Sequence, residues 1–131
     1  MSFALDVSKF VEKAKKNPEK VMRQVSIKLF SAIIKASPVD TGRFRMNWMA
    51  SGGTPVSGIT DATDKSGNTA TGNATSFVLK ATDWHEFTLT NNLPYAQRLE
   101  YGWSQQAPQG FVRTNVSRFQ QLINEEASKV R

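Results

Sequence analysis

Apolar residues recur along this chain with two periods, and the change from one to the other divides it. Over residues 5–16, Val7, Phe10, Val11 and Ala14 fall on one side of a helix while Lys9, Lys13 and Lys16 fall elsewhere. Asn17-Pro18 interrupts this pattern; Asn suits an N-cap and Pro the first helical position, so a second helix is expected to start here. Met22, Val25, Leu29, Ile33 and Ala36 continue the helical spacing, with Ile27, Phe30 and Ile34 widening the stripe. A stripe that wide predicts a helix buried on more than one side. Two helices and one kinked helix both fit residues 5–36.

Pro38 stops the helical pattern, because its ring disfavours helical geometry at Ser37 and it donates no main-chain hydrogen bond. Asp40 and Thr41 are suited to bonding nearby amides, and Gly42 to a positive φ. Phe44, Met46 and Trp48 then alternate with Arg45, Asn47 and Met49, which predicts a strand over about 44–51. From Gly52 to about Asn73 the chain is Gly, Thr, Ser, Asn, Asp and Ala, with Val56 and Ile59 its only sizeable apolar residues. Such a stretch buries too little to offset its ordering entropy alone. It is expected to be a flexible loop or a two-stranded arm, and interaction is its natural role.

Phe77, Val78 and Leu79 lie in a segment, 74–82, read as a short helix in preference to a strand. Alternation from Trp84 to Thr90 predicts a strand over about 84–91, ended by Asn91-Asn92. Pro94 fits the start of a short helix, Tyr95–Tyr101, closed by Gly102, with Tyr95, Leu99 and either Ala96 or Tyr101 facing inward. Val112, Val116, Phe119, Leu122 and Ile123 share a stripe on a C-terminal helix from about Gly110 to Val130. The fold class expected is α+β: N-terminal amphipathic helices and a C-terminal helix on a small antiparallel sheet, with Phe44, Trp48, Phe87 and Leu89 on its buried face and a long polar loop or hairpin at 52–73.

The 131 residues suffice for one domain, 1–131, with a core of its own. Cysteine is absent, which excludes disulfides, thiolate metal sites and cysteine nucleophiles. No apolar run approaches the roughly 20 residues of a membrane span, so no membrane association is expected. The N-terminus lacks a basic-then-apolar layout, and synthesis in the cytoplasm is the expectation. The net charge of +6 is uneven: residues 1–50 carry ten Lys/Arg against four Asp/Glu, whereas 51–131 carry seven of each. A solvated helix face accounts for such charge, and so does attraction to a polyanion or an acidic partner surface.

Candidate chemistry is sparse. A catalytic histidine needs a nucleophile or an orienting acid positioned around it, which the single histidine, His85, does not show by itself, and it reads as a surface or edge-strand residue. Asp61 and Asp64 do not form a calcium-loop pattern, and Gly52-Gly53 and Gly67 lack the lysine and following helix of a phosphate loop. No catalytic, metal or cofactor residue is assigned, and no enzyme activity is expected. Lys9, Lys13, Lys16, Lys20 and Arg23 can line a stripe, yet no nucleic-acid-binding motif accompanies them. A small basic DNA-associated binding protein is the alternative reading.

Two motifs carry a resemblance. One is Ser37-Pro38-Val39-Asp40-Thr41-Gly42-Arg43-Phe44-Arg45-Met46-Asn47-Trp48; the other is Asn91-Asn92-Leu93-Pro94-Tyr95-Ala96-Gln97-Arg98-Leu99-Glu100-Tyr101-Gly102. In this order, after a long amphipathic helix, they resemble the neck or tail-completion proteins of long-tailed bacteriophages, including relatives of the lambda-like minor tail protein Z. The likeness runs through Pro108-Gln109-Gly110-Phe111-Val112-Arg113 and covers about residues 20–125. The 52–73 stretch is longer and more polar than that family leads one to expect. The resemblance implies a non-enzymatic virion protein, made in the host cytoplasm. It would be a subunit of a homo-oligomeric ring at the head–tail junction or tail end, between head-completion proteins and the tail terminator or tail tube. DNA would pass through the lumen without sequence-specific binding.

Within the motifs, Pro38, Asp40, Thr41, Gly42, Arg43, Trp48, Pro94, Tyr95, Glu100 and Gly102 are the expected structural residues. Asp40 and Arg43 are spaced to pair locally or to reach the second motif, and Glu100 is a candidate partner for Arg43 or Arg45. Tyr95 is expected in the core, and Tyr101 in the core or an interface. Trp103 is the foremost interface candidate, with Tyr101, Lys13, Lys16 and Lys20 beside it.

Overall fold

The computed structural model describes residues 3–6, 18–103, 106, 110–118 and 121. The expected helix over 7–16, the lysines Lys13 and Lys16, the Ala107–Gln109 loop and the C-terminal helix beyond Arg118 lie outside them, apart from Gln121. The described elements are β1 (Phe3–Asp6), α1 (Pro18–Ala36), α2 (Arg43–Met46), β2 (Trp48–Ser51), α3 (Asn68–Lys80), β3 (Thr88–Asn91), α4 (Ala96–Arg98) and α5 (Arg113–Val116), with a π turn over Leu99–Trp103 after α4. The fold class is α+β, with a three-stranded antiparallel sheet in the order β1-β3-β2.

α1 opens on Pro18, whose fixed φ suits a first helical turn, with Glu19 near the positive end of its dipole and Lys35 near the negative end. Its buried residues are Val21, Met22, Val25, Ser26, Leu29, Phe30, Ile33 and Ile34. These pairs repeat every four residues and include the anticipated Met22, Val25, Leu29, Phe30, Ile33 and Ile34, whereas Ala36 is exposed and Ile27 only partly buried. Each large apolar side chain so buried contributes about 1.5–3 kcal/mol before entropy is counted. α1 packs on α3, and α3 packs on β2. On α3 the inward residues are Ala70, Ala74 and Val78, small enough to let two helices approach closely.

Several sequence expectations are corrected here. Residues 5 and 6 belong to a strand, not a helix: Phe3–Asp6 pairs antiparallel with Thr88–Asn91, and ladder hydrogen bonds there outweigh the helical spacing that begins at Val7. Phe44 and Met46 lie on a helical turn, because Met46 N–H bonds Gly42 O at 3.1 Å and Asn47 N–H bonds Arg43 O; the strand starts only at Trp48. The 52–73 stretch is neither a free loop nor a hairpin arm. Residues 52–67 form an irregular strap bonded to the body, and 68–73 are the first half of α3. The third strand covers Thr88–Asn91, not 84–91, since only those residues find partners on β1 and β2. Flanked on both sides, β3 is buried at every position.

Candidate functional site

The two motif segments converge on one aromatic cluster. Phe44 and Trp48 come from the first, Tyr95 from the second, and Phe111 from the segment that follows it. The Phe44 ring centroid lies 5.9 Å from Trp48, 5.6 Å from Phe111 and 6.1 Å from Tyr95; the first two contacts are edge-to-face. Phe44, Trp48 and Phe111 are buried, while Tyr95 is 37% exposed, so the expectation of a core Tyr95 is corrected to a rim position. Main-chain bonds tighten the junction: Asn91 Nδ2 donates to Phe44 O at 3.0 Å, and Asn91 Oδ1 accepts from Leu93 N–H.

The corner itself is fixed by polar contacts that local sequence explains only in part. Ser37 is 1% exposed; its Oγ donates to Ile33 O at 2.7 Å and accepts from Trp48 Nε1 at 2.9 Å. Thr41 Oγ1 accepts from Arg43 N–H, as its position after Pro38 led us to expect. Gly42 has φ 93°, and a Cβ there would stand 2.5 Å from the Lys65 nitrogen. Its carbonyl accepts from Asp64 N–H at 3.0 Å, so corner and strap touch main chain to main chain. Arg45 donates to the carbonyls of Lys35, Ser37 and Lys65. Pro38 is buried and Asp40 exposed.

Three further residues hold the strap. Asn47 Nδ2 donates to Arg43 O and Thr60 O, while its Oδ1 accepts from Thr60 N–H at 2.9 Å. Asn92 Nδ2 donates to Val56 O and Gly58 O. Arg43 donates from Nε to Thr60 O and pairs with Asp61 at 3.1 Å. Arg43 therefore turns to the strap, neither to Asp40 nor to Glu100, because Asp61 and the Thr60 carbonyl lie within its reach. At the strap's end, Asp64 accepts from Ser66 Oγ, Gly67 N–H and Ala70 N–H and so caps α3 from three residues before its N-cap. Burial raises its carboxyl pKa, but hydrogen bonds from Ala70, Ser66, Thr69 and Gly67 outweigh that and hold it below the ordinary value.

Glu100 is 2% exposed, and its partner is Arg113, not Arg43 or Arg45. Oε1 accepts from Phe111 N–H at 2.7 Å and Val112 N–H at 2.8 Å; Oε2 accepts from Arg113 N–H at 2.7 Å and Arg113 Nε at 3.0 Å. Arg113 also donates to Glu100 O, and its guanidinium sits 4.6 Å above the Tyr101 ring. Tyr101 is 66% exposed, Gly102 takes a φ of 94° inside the π turn, and Pro94 is exposed. Trp103 ends that turn, but its side chain lies outside the described residues.

Between the corner and Tyr95–Leu99 lies an open cleft of about 270 Å³, with Pro38, Phe44, Tyr95 and Leu99 as its apolar lining. The carboxamide of Gln106 closes one side, accepting from Val39 N–H at 2.8 Å and donating to Val39 O at 2.7 Å. His85 does not line this cleft; it is exposed, stacked on Trp84 at 4.0 Å, and bonded through Nδ1 to Asp83 at 2.9 Å. Among the described residues no group of three or more His, Asp or Glu is placed to hold a metal ion, and no helix is long and apolar enough to cross a membrane.

The polar roles of Asn47, Asn91, Asn92, Gln106 and Arg113 are not foreseen from the sequence, because each bonds a main-chain group 13 or more residues away. Asp64 enters there only as a candidate calcium ligand; its role as a cap is local, through groups two to six residues on. No family model, curated protein or solved structure matches this chain.

Proposed function

We propose that this protein is a structural subunit of a bacteriophage neck or tail end, assembled into a ring that joins head-completion proteins to the tail terminator or tail tube and lets DNA pass. The observation that carries the reading is the aromatic cluster of Phe44, Trp48, Tyr95 and Phe111, in which all three segments bearing the resemblance meet. Residues far apart in sequence thus meet in one joint beside the corner that follows α1, and in this reading that joint sets the shape offered to neighbours. A shape-setting role suits a component added to a particle in a fixed order.

Among the described residues, the cations of the N-terminal third support a DNA-binding reading less than their charge suggests. Arg23 bonds Glu19 and Val78 O, Lys35 bonds Ser66 O and Asn68, Arg43 bonds Asp61, and Arg45 bonds three carbonyls. Cations engaged in this way have less to offer a polyphosphate.

The test is the genomic setting followed by gene disruption. Portal, capsid and tail-tube genes on either side, with DNA-filled heads and unattached tails accumulating on disruption, are the expected result. A neighbourhood without virion genes, or normal particles after disruption, refutes the reading.

A further inference from the structure

We propose that the free edge of β2 receives an extended segment of a different protein, which adds to the sheet as a further strand and seats apolar side chains in the groove between β2 and α3. The inference goes beyond the neck reading and does not depend on it.

The sheet order β1-β3-β2 leaves β2 with a partner strand on one side only. In an antiparallel ladder, alternate residues turn their N–H and C=O away from the partner, so half of the main-chain groups of β2 face outward. Among the described residues nothing takes them: the main chain of Met49, Ala50 and Ser51 makes no hydrogen bond outside the pairing with β3. An open groove of about 410 Å³ lies here, and three consecutive strand residues, Trp48, Met49 and Ala50, line it. Successive side chains point to opposite faces of a sheet, so a hollow over one face would meet every second residue. A hollow that meets all three follows the edge.

Edge and walls together specify the occupant. Outward N–H and C=O groups at strand spacing are the complement of another main chain, the mode by which sheets recruit extended peptides. Met46 and Phe77 give the groove apolar walls, and Phe77 is 37% exposed despite its edge-to-face contact with Phe87. No charged residue lines the groove among the described residues, so a seated stretch that is uncharged and apolar at alternate positions suits it. Solvent-facing edges are commonly blunted by lysine or proline. β2 reads Trp-Met-Ala-Ser and carries neither; only its shortness protects it. The net charge of +6 sets copies of this chain against one another and favours an acidic protein as the bearer of the segment.

Two short peptides with blocked ends, one alternating valine with threonine and one leucine with threonine, test the edge. Each is titrated to about 1 mM, where a millimolar contact is half populated, and followed by amide NMR shifts of the full chain. At least one is expected to shift the amides of Trp48–Ser51, with smaller changes at Thr60 and Asn73. Its fully N-methylated copy keeps the side chains but cannot donate to the edge, and is expected to bind about tenfold more weakly or worse. Asn73 is exposed and lines the groove, so Asn73→Trp fills it from α3 beside Phe77 without disturbing the core; about a tenfold loss is expected, with circular dichroism to verify folding. No shift at β2 from either peptide, equal binding of the N-methylated copy, or full binding to a folded Asn73→Trp variant each overturn the proposal. So does self-association of the unaltered chain that shifts the same β2 amides, since a second copy would then be the occupant. The neck reading is decided separately by gene neighbourhood and disruption.

Discussion

Glu100 and Arg113 are bound to each other at both ends: the carboxylate takes the arginine's main-chain N–H and its Nε, and the guanidinium returns a hydrogen bond to the Glu100 carbonyl. The carboxylate thereby caps the start of α5 from eleven to thirteen residues away and ties the C-terminal segment to the second motif. Replacing Glu100 with Ala strands the N–H groups of Phe111 and Val112 in the interior, each at a cost of about 1–3 kcal/mol. Glu100→Ala is expected to lose about 4 kcal/mol or more in urea unfolding, and Glu100→Gln about 1.5–3 kcal/mol. Equal losses for the two variants would show that the charge on this acceptor is irrelevant.

Gly42→Ala is expected to be more damaging than Gly67→Ala, although both glycines have positive φ. At Gly42 the new methyl meets main-chain atoms of Asp64 and Lys65 at 2.5–2.7 Å, whereas at Gly67 it meets side-chain atoms of Ile34 and Lys35 no closer than 3.3 Å. Backbone strain accounts for about 1–3 kcal/mol at either site; only Gly42→Ala must also push the strap off the corner. Thermal unfolding of the two variants, ranked against the unaltered chain, checks the order.

Asp64 makes stability depend on acid. Its folded-state pKa lies below the ordinary 3.8, so its contribution is present above that value and is lost as pH falls through the folded pKa. Asp64→Asn is expected to cost about 1 kcal/mol near neutrality, as for other helix caps. It should also flatten the decline in stability between about pH 5 and pH 2. An unchanged acid slope would place the titrating group elsewhere.

Asn47→Ala is expected to loosen the strap while leaving the helices in place. It removes three hydrogen bonds, to Arg43 O, Thr60 O and Thr60 N–H, worth about 0.5–1.5 kcal/mol each. Hydrogen exchange should quicken at Thr60 and its neighbours with little change in α1. Faster exchange throughout α1 would mean that the strap is part of the global folding unit.

The long helix was legible because apolar residues from Met22 to Ile34 recur at helical spacing over more than three turns, and no local competitor interferes. The first half of α3 was not, because Thr69, Thr71, Gly72 and Asn73 have poor helical propensity and look like loop. What makes them helical is burial of Ala70 and Ala74 against α1 and the cap from Asp64, both tertiary effects. Alternation at Phe44–Trp48 misled for a related reason: Gly42 opens a helical turn that places Phe44 and Trp48 on one cluster by a different route. The joint's residue types were readable, but its partners were not. Glu100 bonds to Arg113, and Arg43 to Asp61, through proximity that only the folded chain creates.

The first part of the strap, from Gly53 to Thr60, is held by side-chain amides, a guanidinium and the Ser51 hydroxyl, which grip its carbonyls and one N–H. Its own side chains at Thr54, Pro55, Ser57 and Ile59 face solvent and take little part in setting its path. Route and outward lettering are therefore specified by different residues. Substitutions can accumulate along the outer side, even to suit another neighbour, without redrawing the body that carries it.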